Sequence, residues 1–299
     1  MLTSFSELES AVKSKGAKMR VLVAAAHDSH TLEGIDEAFA KGIIEPVLIG
    51  DGEKIRAIIK DEGLSIGGAE IIQAADDAQS AKTAARLVAE GKGGIIMKGK
   101  LQTADLLREV VSKEYGLRTG DIMSHVGLFQ IPGYHKLMVL TDGGMVIAPD
   151  LEQKRQILDN AVRALAALGV TNPKVAALCA TEVENPKMPA SVDAARLKKL
   201  NQEGAIKGCV VEGPISFDLM FDKESAKIKG YESPVAGDAD IMLLPDMTAG
   251  NLVAKALMLA AKAMMAGLIV GAKAPIVLVS RGATAEEKYW SLVFAAAIA

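Results

Sequence analysis

The sequence has little that would suit it to binding nucleic acid. Aromatic residues make up 4% of its 299 residues, and lysine plus arginine (34) fall short of aspartate plus glutamate (37), for a formal charge of −3. A protein without a positive field has no general attraction for a phosphate backbone, and few aromatic side chains leave few platforms for stacked bases. We therefore expect no nucleic-acid partner. Any anionic ligand must be bound by cations concentrated at one place.

The sequence also lacks a membrane-spanning or secretory segment. Its longest apolar stretch, 256–270, is interrupted by Lys262 and is shorter than the roughly 20 residues that a membrane helix needs. The first residues do not combine a basic segment with an apolar one, so no secretion signal is expected. The two cysteines, Cys179 and Cys209, lie in apolar runs typical of buried strands. These absences predict a soluble, cytoplasmic protein with no membrane partner and with structural thiols.

Short β-branched runs alternate with alanine-rich segments of helical periodicity along the whole chain. This alternation is typical of parallel strands joined by helices, and the length suits one large α/β domain or two lobes. We therefore predict an α/β fold with doubly wound sheets. The predicted strands are 20–26, 46–49, 70–72, 94–98, 137–140, 175–179, 208–212, 241–244 and 276–279. The predicted helices are 32–41, 78–90, 104–113, 152–168, 191–202, 252–266 and 286–297.

Residues 121–150 break this alternation. Short apolar runs are separated there by Pro132-Gly133 and by Asp142-Gly143-Gly144, which are typical turn sequences, so we predict an antiparallel hairpin insertion. The chain has no internal repeat and no linker rich in serine or proline. This favours two lobes that share a cleft over two tethered domains.

Candidate ligand-binding residues follow the predicted strands, where open α/β sheets bind their ligands. Lys98, Gly99 and Thr103 lie where a strand meets a helix, which suits a phosphate group; an ordinary loop with solvated lysines is the alternative. Ser280 and Arg281 follow the last strand, where a guanidinium beside a helix start suits a tetrahedral phosphate. The alternative there is an arginine paired with a glutamate in a capped turn.

Other polar residues offer weaker signals. His125, beside Ser124, is either a general base or a residue that caps a strand. Asn251 is predicted to cap the helix that follows it, to line the cleft, or both. His27 and His30 have a spacing that suits a metal, but no third ligand accompanies them, so no metal is expected.

Nine short motifs occur in order across nearly the whole chain. They are Met97-Lys98-Gly99 with Thr103, 116–120, Ser124-His125-Val126, 140–142, 172–176, 185–189, 206–214, Gly250-Asn251 and Ser280-Arg281. This set resembles the phosphate acetyl/butyryltransferase family, and its butyryl-transferring branch most closely. No single motif is decisive, but their order and spacing together are strongly specific.

The resemblance implies a reversible transfer of a short acyl group between coenzyme A and orthophosphate. Butanoyl-CoA and phosphate would give butanoyl phosphate and CoA, with acetyl transfer as the alternative. CoA would be a substrate, and no permanently bound cofactor is expected. The implied architecture resembles the isocitrate and isopropylmalate dehydrogenases, with 1–124 and 273–299 forming one lobe, 125–272 the other, and the active site between them. A homodimer or higher homo-oligomer is also implied.

The resemblance further implies roles for individual residues. Arg281 matches the arginine assigned to phosphate or acyl-phosphate oxygens, and Ser280 matches the neighbouring serine that polarises or orients the thiol. The acetyl-transferring branch has its proposed base, an aspartate, seven residues after that serine; Glu287 stands there, beside Glu286, so the base is open between these two. The base would take the thiol proton as CoA attacks the acyl phosphate directly, without an acyl-enzyme. The expected substrate-binding residues are Lys98, Gly99, Thr103, Ser124, His125 and Asn251.

Two interpretations from other classes remain open on the residues alone. A metal- and NAD(P)-dependent hydroxy-acid dehydrogenase would share the fold. However, the cofactor motif is missing, and the acid pair Asp238 and Asp240 precedes a strand rather than following it. A non-catalytic CoA-binding protein would keep the fold without the chemistry.

Overall fold

The computed structural model describes residues 2–280 and 282–299, which form two compact α/β units. We call the first the outer unit because it contains the two outer parts of the sequence, Phe5–Asp121 and, apart from residue 281, Met265–Ala299. The second, the central unit, contains residues 2–4 and Ile122–Met264. The α/β class predicted from the sequence is confirmed, while the predicted lobe boundaries stay a prediction.

The helices and strands alternate along most of the chain. In order they are α1 (Phe5–Ser14), β1 (Met19–Ala24), α2 (Ser29–Ala40), β2 (Ile44–Gly50), α3 (Gly52–Asp61), a 3-10 turn (Ser65–Gly68), β3 (Glu70–Gln73), α4 (Asp77–Ala89), β4 (Ile95–Lys98), α5 (Thr103–Val110), β5 (Ser124–Gln130), β6 (Met138–Thr141), α6 (Leu151–Ala167), β7 (Lys174–Leu178), α7 (Pro189–Gln202), β8 (Val210–Ile215), α8 (Phe217–Phe221), α9 (Lys223–Ile228), β9 (Ile241–Leu243), α10 (Met247–Leu259), β10 (Met264–Val270), β11 (Ile276–Val277) and α11 (Ala285–Ile298).

The sheet of the outer unit has the strand order β3-β2-β1-β4-β11-β10. Its pairs are parallel except the last, in which β10 runs antiparallel to β11. The last four residues of β1, Val21 to Ala24, are completely buried, as expected of a parallel strand covered on both faces. The order reverses direction between β1 and β4, which is where sheets of this kind bind ligands. The carboxyl ends of β1, β4 and β11 therefore place three loops at one edge.

The sheet of the central unit has the order β5-β6-β9-β7-β8. β5 is antiparallel to β6, with Phe129 opposite Met138, and the other pairs are parallel. The first predicted turn, Pro132-Gly133, therefore lies between two antiparallel strands. The second predicted turn, Asp142-Gly143-Gly144, is wrong as a hairpin turn, because it leads from β6 into α6 instead. The capping box between Asp150 and Gln153 marks where that helix begins.

The predicted helix 252–266 differs most from the structure. Helix α10 begins at Met247, and its N-cap is Asp246, whose side chain accepts the amide of Ala249. The predicted capping role of Asn251 is therefore wrong. Position 250 lies within the helix and requires glycine, because a Cβ there would be 2.4 Å from the carbonyl oxygen of Asp142. The helix ends at Leu259, and the apolar run that follows is strand β10, since periodicity alone does not separate a buried strand from a buried helix.

A buried ion cluster joins the residues before β6 to those before β9. The Lys136 side chain is 1% exposed, and its Nζ lies 2.6 Å from Asp240 Oδ1 and 3.0 Å from Asp238 Oδ1. Lys174 pairs with Asp238 as well. The acid pair that was weighed above for a metal-dependent dehydrogenase thus neutralises buried lysine charge, which burial would otherwise make costly.

Candidate functional site

A cavity of about 430 Å³ lies at the edge of the outer unit where β1, β4 and β11 end. The loop after each of these strands contributes to its wall, together with the first turns of α4 and α11. The cavity lies at the carboxyl ends of strands, where the sequence predicted a ligand, and the strand order places it at the reversal point of the sheet. Its lining residues are Asp28, Thr31, Asp77, Lys98, Gly99, Lys100, Leu101, Gln102, Val279, Ser280 and Lys288.

Lys98 lies on the floor of this cavity at the end of β4. Its side chain is buried, and Nζ donates to the carbonyl oxygens of Gly99 and Leu101, each 3.1 Å away. These bonds hold the ammonium group under the loop between β4 and α5. Thr103, the first residue of α5, is exposed and is not part of the lining.

Gly99 allows this loop to approach β1 closely. The amides of Gly99 and Lys100 donate to the carbonyl oxygens of Ala24 and Ala25, each at 2.8 Å. A Cβ on Gly99 would lie 2.2 Å from the oxygen of Ala25, so no side chain fits there. Both amides are occupied within the protein, and the contribution of Gly99 is to bring Lys98 and Lys100 to the cavity wall.

A carboxylate and an ammonium group form an ion pair in the wall of the cavity. Asp28 caps α2, and its carboxylate accepts the amide (3.0 Å) and the hydroxyl (2.5 Å) of Thr31. Lys288 Nζ lies 3.4 Å from Asp28 Oδ2, and its side chain is nearly fully buried. Burial alone would raise the pKa of Asp28, but the Thr31 hydrogen bonds and the charge of Lys288 hold it below its usual value. Asp28 is therefore ionised at neutral pH.

Sequence reasoning missed both residues of this pair. The N-cap signal of Asp28, an aspartate three residues before a threonine at a helix start, was available in the sequence. Lys288 gave no such signal, because it reaches Asp28 through the packing of α11 on α2. Gly34 makes this approach close, since a Cβ there would lie 2.9 Å from the carbonyl oxygen of Ala285 and 3.0 Å from Lys288 Cβ.

The predicted catalytic residues lie before and within the first turn of α11. Ser280 lines the cavity, whereas Arg281 lies outside the described residues. Glu287 forms a capping box with Thr284: one carboxylate oxygen accepts the Thr284 amide at 2.9 Å, and the Thr284 hydroxyl accepts the Glu287 amide at 3.2 Å. Glu286 is exposed, and its carboxylate accepts the indole N–H of Trp290 at 3.4 Å.

The remaining predicted residues lie together in the central unit, where β5 begins and β6 and β9 end. Ser124 is fully buried, and its hydroxyl accepts a hydrogen bond from Asn160 Nδ2 at 2.9 Å. Asn251 Nδ2 lies 3.4 Å from the carbonyl oxygen of Gly143. His125 is partly exposed, and its amide donates to Asp142 Oδ2 at 3.0 Å. Ser124 thus supports the strand, while His125 and Asn251 border the loop after β6.

The Asp142 carboxylate organises that loop. It also accepts the amides of Gly144, Met145 and Val146, so a single side chain fixes the turn beside His125. His125 Nδ1 is buried and has no hydrogen-bond partner among the described residues. Burial lowers the pKa of this imidazole, and the nearby charge of Asp142 opposes the shift only in part. The ring is therefore neutral at pH 7.

The described residues offer no metal centre. In residues 2–280 and 282–299, no three or more His, Cys, Asp or Glu side chains are grouped so as to hold a metal ion. His27 instead lies 3.8 Å from Asp77, and His30 lies 3.4 Å from Glu33. Within the same part of the chain, no helix has the length and apolar character needed to cross a membrane.

The two cysteines are free thiols. Burial, with a smaller contribution from the charge of Asp159, raises the pKa of Cys209 to about 11. This thiol is therefore protonated at neutral pH and is a poor nucleophile. Cys179 lies 3.3 Å from the sulfur of Met188. Both features fit the structural role expected from the sequence.

Comparison with known proteins finds full-length relatives. The family model described as phosphate acetyl/butaryl transferase matches residues 5–85 and 78–297. The chain is 42% identical over 299 residues to a phosphate butyryltransferase of Clostridium acetobutylicum, covering 100% of this chain and 99% of the relative. It is 41% identical over 285 residues to a phosphate acetyltransferase of Thermotoga maritima, covering 95% of this chain and 97% of the relative.

Solved structures show the same similarity. A branched-chain phosphotransacylase from Enterococcus faecalis superposes with a TM-score of 0.84 at 34% identity, covering 93% of this chain and 97% of that chain. A 4-hydroxythreonine-4-phosphate dehydrogenase from Burkholderia phymatum gives a TM-score of 0.52 at 14% identity, covering 94% of this chain and 97% of that chain. The second likeness concerns the fold alone, and it confirms the expected dehydrogenase-like α/β fold class.

Proposed function

Because the chain belongs to the phosphate acetyl/butaryl transferase family, we propose that it transfers a short acyl group reversibly between CoA and orthophosphate. Butanoyl is the acyl group we propose, and acetyl is the alternative, since relatives named for each are nearly equally similar. The observation that carries the proposal is the cavity at the reversal point of the outer sheet. Three lysines line it, Lys98, Lys100 and Lys288, in a protein whose formal charge is −3.

The proposed chemistry is a direct displacement. The CoA thiol loses its proton to a carboxylate and attacks the acyl-phosphate carbonyl, and the carbon–oxygen bond to phosphate breaks as orthophosphate leaves. Glu287 is the proposed base, because one of its oxygens is used in the helix cap and the other has no protein partner within the described residues. Glu286 is the alternative. A base held by a helix cap keeps a fixed position, which acid–base catalysis requires.

The other proposed roles concern charge and orientation. Arg281 would bind phosphate oxygens bidentately, and Ser280, on the cavity wall, would orient the thiol or the carbonyl. Lys98 would add positive charge from the cavity floor. Holding both substrates at once supplies several kcal/mol of barrier reduction, about 7 or more in well-oriented cases, so no acyl-enzyme is needed. Gly99 would act by shaping the loop, and Thr103 by its place at the start of α5.

The central-unit residues are proposed to bind substrate through a neutral surface. His125 is uncharged at pH 7, and Asn251 is an amide, so neither adds charge. Both suit hydrogen bonds to the acyl carbonyl or to the pantetheine amides of CoA. Ser124 would contribute by anchoring the strand that presents His125.

We propose that the protein acts as a homodimer or a higher homo-oligomer in the cytoplasm. Leu252 and Leu259, seven residues apart on α10, are 65% and 71% exposed, and Ile147 nearby in the same unit is 71% exposed. Apolar side chains grouped in this way are commonly covered by another subunit. The two free thiols and a CoA substrate support a reducing compartment. Sedimentation of the purified protein as a monomer at micromolar concentration would contradict the oligomer proposal.

One assay tests the reaction itself. Purified protein is mixed with phosphate and acetyl-, propionyl-, butanoyl- or pentanoyl-CoA, without metal or nicotinamide, and free thiol is followed. We expect phosphate-dependent thiol release, fastest with butanoyl-CoA. A faster rate with acetyl-CoA would favour the alternative substrate, and the absence of release with all four would refute the transferase proposal. Comparing Glu286→Gln with Glu287→Gln identifies the base, and full rate in both would exclude each of them.

A further inference from the structure

The ammonium group of Lys288 is poorly satisfied for a buried charge. Its side chain is 7% exposed and faces the cavity at the ends of β1, β4 and β11. An ammonium group has three N–H donors. Among the described residues, the one acceptor of the Lys288 ammonium is Asp28 Oδ2, at the long distance of 3.4 Å. A buried charge is costly unless it is paired and hydrogen-bonded. The group therefore has donor capacity for an anion in the cavity.

The fold holds this group in place. Helix α11 packs on α2 at a distance that only a glycine at position 34 permits, so the stem of Lys288 is confined between the two helices. The capping box of Thr284 and Glu287 fixes the turn from which Lys288 projects. The acceptor of Lys288, Asp28, is fixed by its cap on α2.

The charges around the cavity favour an anion. Three lysines and two aspartates line the wall, and Lys98 is tied to two backbone carbonyls. Lys100 is exposed at the rim. Among the described residues that line the cavity, the buried Lys288 ammonium has one acceptor at the long distance of 3.4 Å, and that acceptor, Asp28 Oδ2, is shared with Thr31.

We propose that Lys288 binds orthophosphate within this cavity, and that the Asp28 carboxylate competes with the anion for the same ammonium group. The identity of the anion rests on the proposed acyl transfer, in which orthophosphate is a substrate. The binding itself is independent of turnover. Removing the cation should weaken phosphate binding, whereas removing the competing carboxylate charge should strengthen it.

Two substitutions test these opposite effects. Lys288→Met keeps the length of the side chain and deletes its charge. Asp28→Asn keeps the helix cap, since asparagine caps as well as aspartate, and deletes the negative charge. Lys82→Met is the matched control, because Lys82 is an exposed lysine in the middle of α4. Circular dichroism and thermal unfolding verify that each variant folds.

Binding of orthophosphate is measured by isothermal titration on the full-length protein, without CoA. We expect the Kd to rise about tenfold to a hundredfold in Lys288→Met, which is the effect of losing one charge-assisted hydrogen bond. Lys288→Arg should recover part of the loss. Asp28→Asn should lower the Kd, and Lys82→Met should leave it unchanged. A purely structural role for Lys288 would not give opposite shifts in the two variants.

The outcomes separate this inference from the proposed reaction. If phosphate binding depends on Lys288 but no acyl-CoA is turned over, the proposed function fails and the inference stands. If the wild-type protein does not bind phosphate, or folded Lys288→Met binds it equally well, the inference is overturned even when turnover is normal. If Lys288→Met does not fold, Asp28→Asn decides, and unchanged or weaker binding in that variant overturns the proposal.

Discussion

Replacing Gly99 with alanine tests whether the loop after β4 is built for close approach to β1. The new Cβ would lie 2.2 Å from the carbonyl oxygen of Ala25, about 1.2 Å short of ordinary van der Waals contact at 3.4 Å. It would also lie 2.8 Å from the carbonyl oxygen of Ala24. The neighbours are backbone atoms of a completely buried strand end, so the loop must move rather than a side chain. That movement carries Lys98 and Lys100 with it.

The expected consequences are large for activity and moderate for stability. Overpacking of this kind costs about 1–3 kcal/mol of unfolding free energy. A displacement of about 1 Å at a site that positions substrates can cost roughly a hundredfold in rate. Turnover is measured by phosphate-dependent thiol release, and stability is measured by urea unfolding followed by circular dichroism.

Gly68→Ala provides the matched control. Gly68 ends the 3-10 turn of the same unit, and a Cβ there would meet nothing within 4 Å. We expect this control to be within about 0.5 kcal/mol of the wild type, as for most surface substitutions. If Gly99→Ala matches the control in both stability and turnover, the close approach does not shape the site, and the argument is refuted.

Three other predictions concern charge and burial. Lys136→Met removes the buried partner of two carboxylates and should lower the free energy of unfolding by about 3–5 kcal/mol in urea. The control Lys82→Met should change it by almost nothing. A decrease below about 1 kcal/mol in Lys136→Met would contradict the buried cluster. Burial would raise the pKa of Asp238, but hydrogen bonds led by Lys174 hold it below its ordinary value. The stability that ionised Asp238 contributes is therefore fully present above the unfolded-state pKa and is lost as pH falls through the lower folded-state pKa. The unfolding free energy of Asp238→Asn should therefore depend less steeply on pH than that of the wild type below about pH 4. Equal pH dependence in the two proteins would contradict this prediction. The pKa of Cys209 is raised from 9.0 to about 11, which lowers the thiolate fraction at neutral pH. This thiol should therefore react with a thiol reagent roughly a hundredfold more slowly in the folded protein than in the unfolded protein. Equal rates in the two states would contradict its burial.

Elements whose apolar pattern fits only one type of secondary structure could be predicted from the sequence. β1 and β4 are short β-branched runs, and parallel strands covered on both faces leave such runs because every position is buried. The prediction for the apolar run after Leu259 was wrong, because an apolar segment without alternation fits a helix as well as a strand. The start of α10 was misplaced because Asp246 and Asn251 are both good N-cap residues, and the local sequence does not show which of them caps the helix.

The site was predictable where it follows strand ends and unpredictable where it depends on packing. Lys98 ends one parallel strand and Ser280 follows another, the two strands end at the same edge of the sheet, and both residues line the cavity. Lys288 and Asp28 are 260 positions apart, and their meeting depends on how α11 packs on α2. The role of Gly99 was also hidden, because a glycine in a loop gives no sign of whether its amide or its missing side chain matters.

The central claim is that this chain moves a short acyl group between CoA and orthophosphate. The most direct measurement is the rate of thiol release from butanoyl-CoA by the purified protein, with and without phosphate and with metal and nicotinamide omitted. The account predicts rapid release that saturates with phosphate and stops when phosphate is removed. Release at the same rate without phosphate, or no release from any short acyl-CoA in its presence, would contradict it.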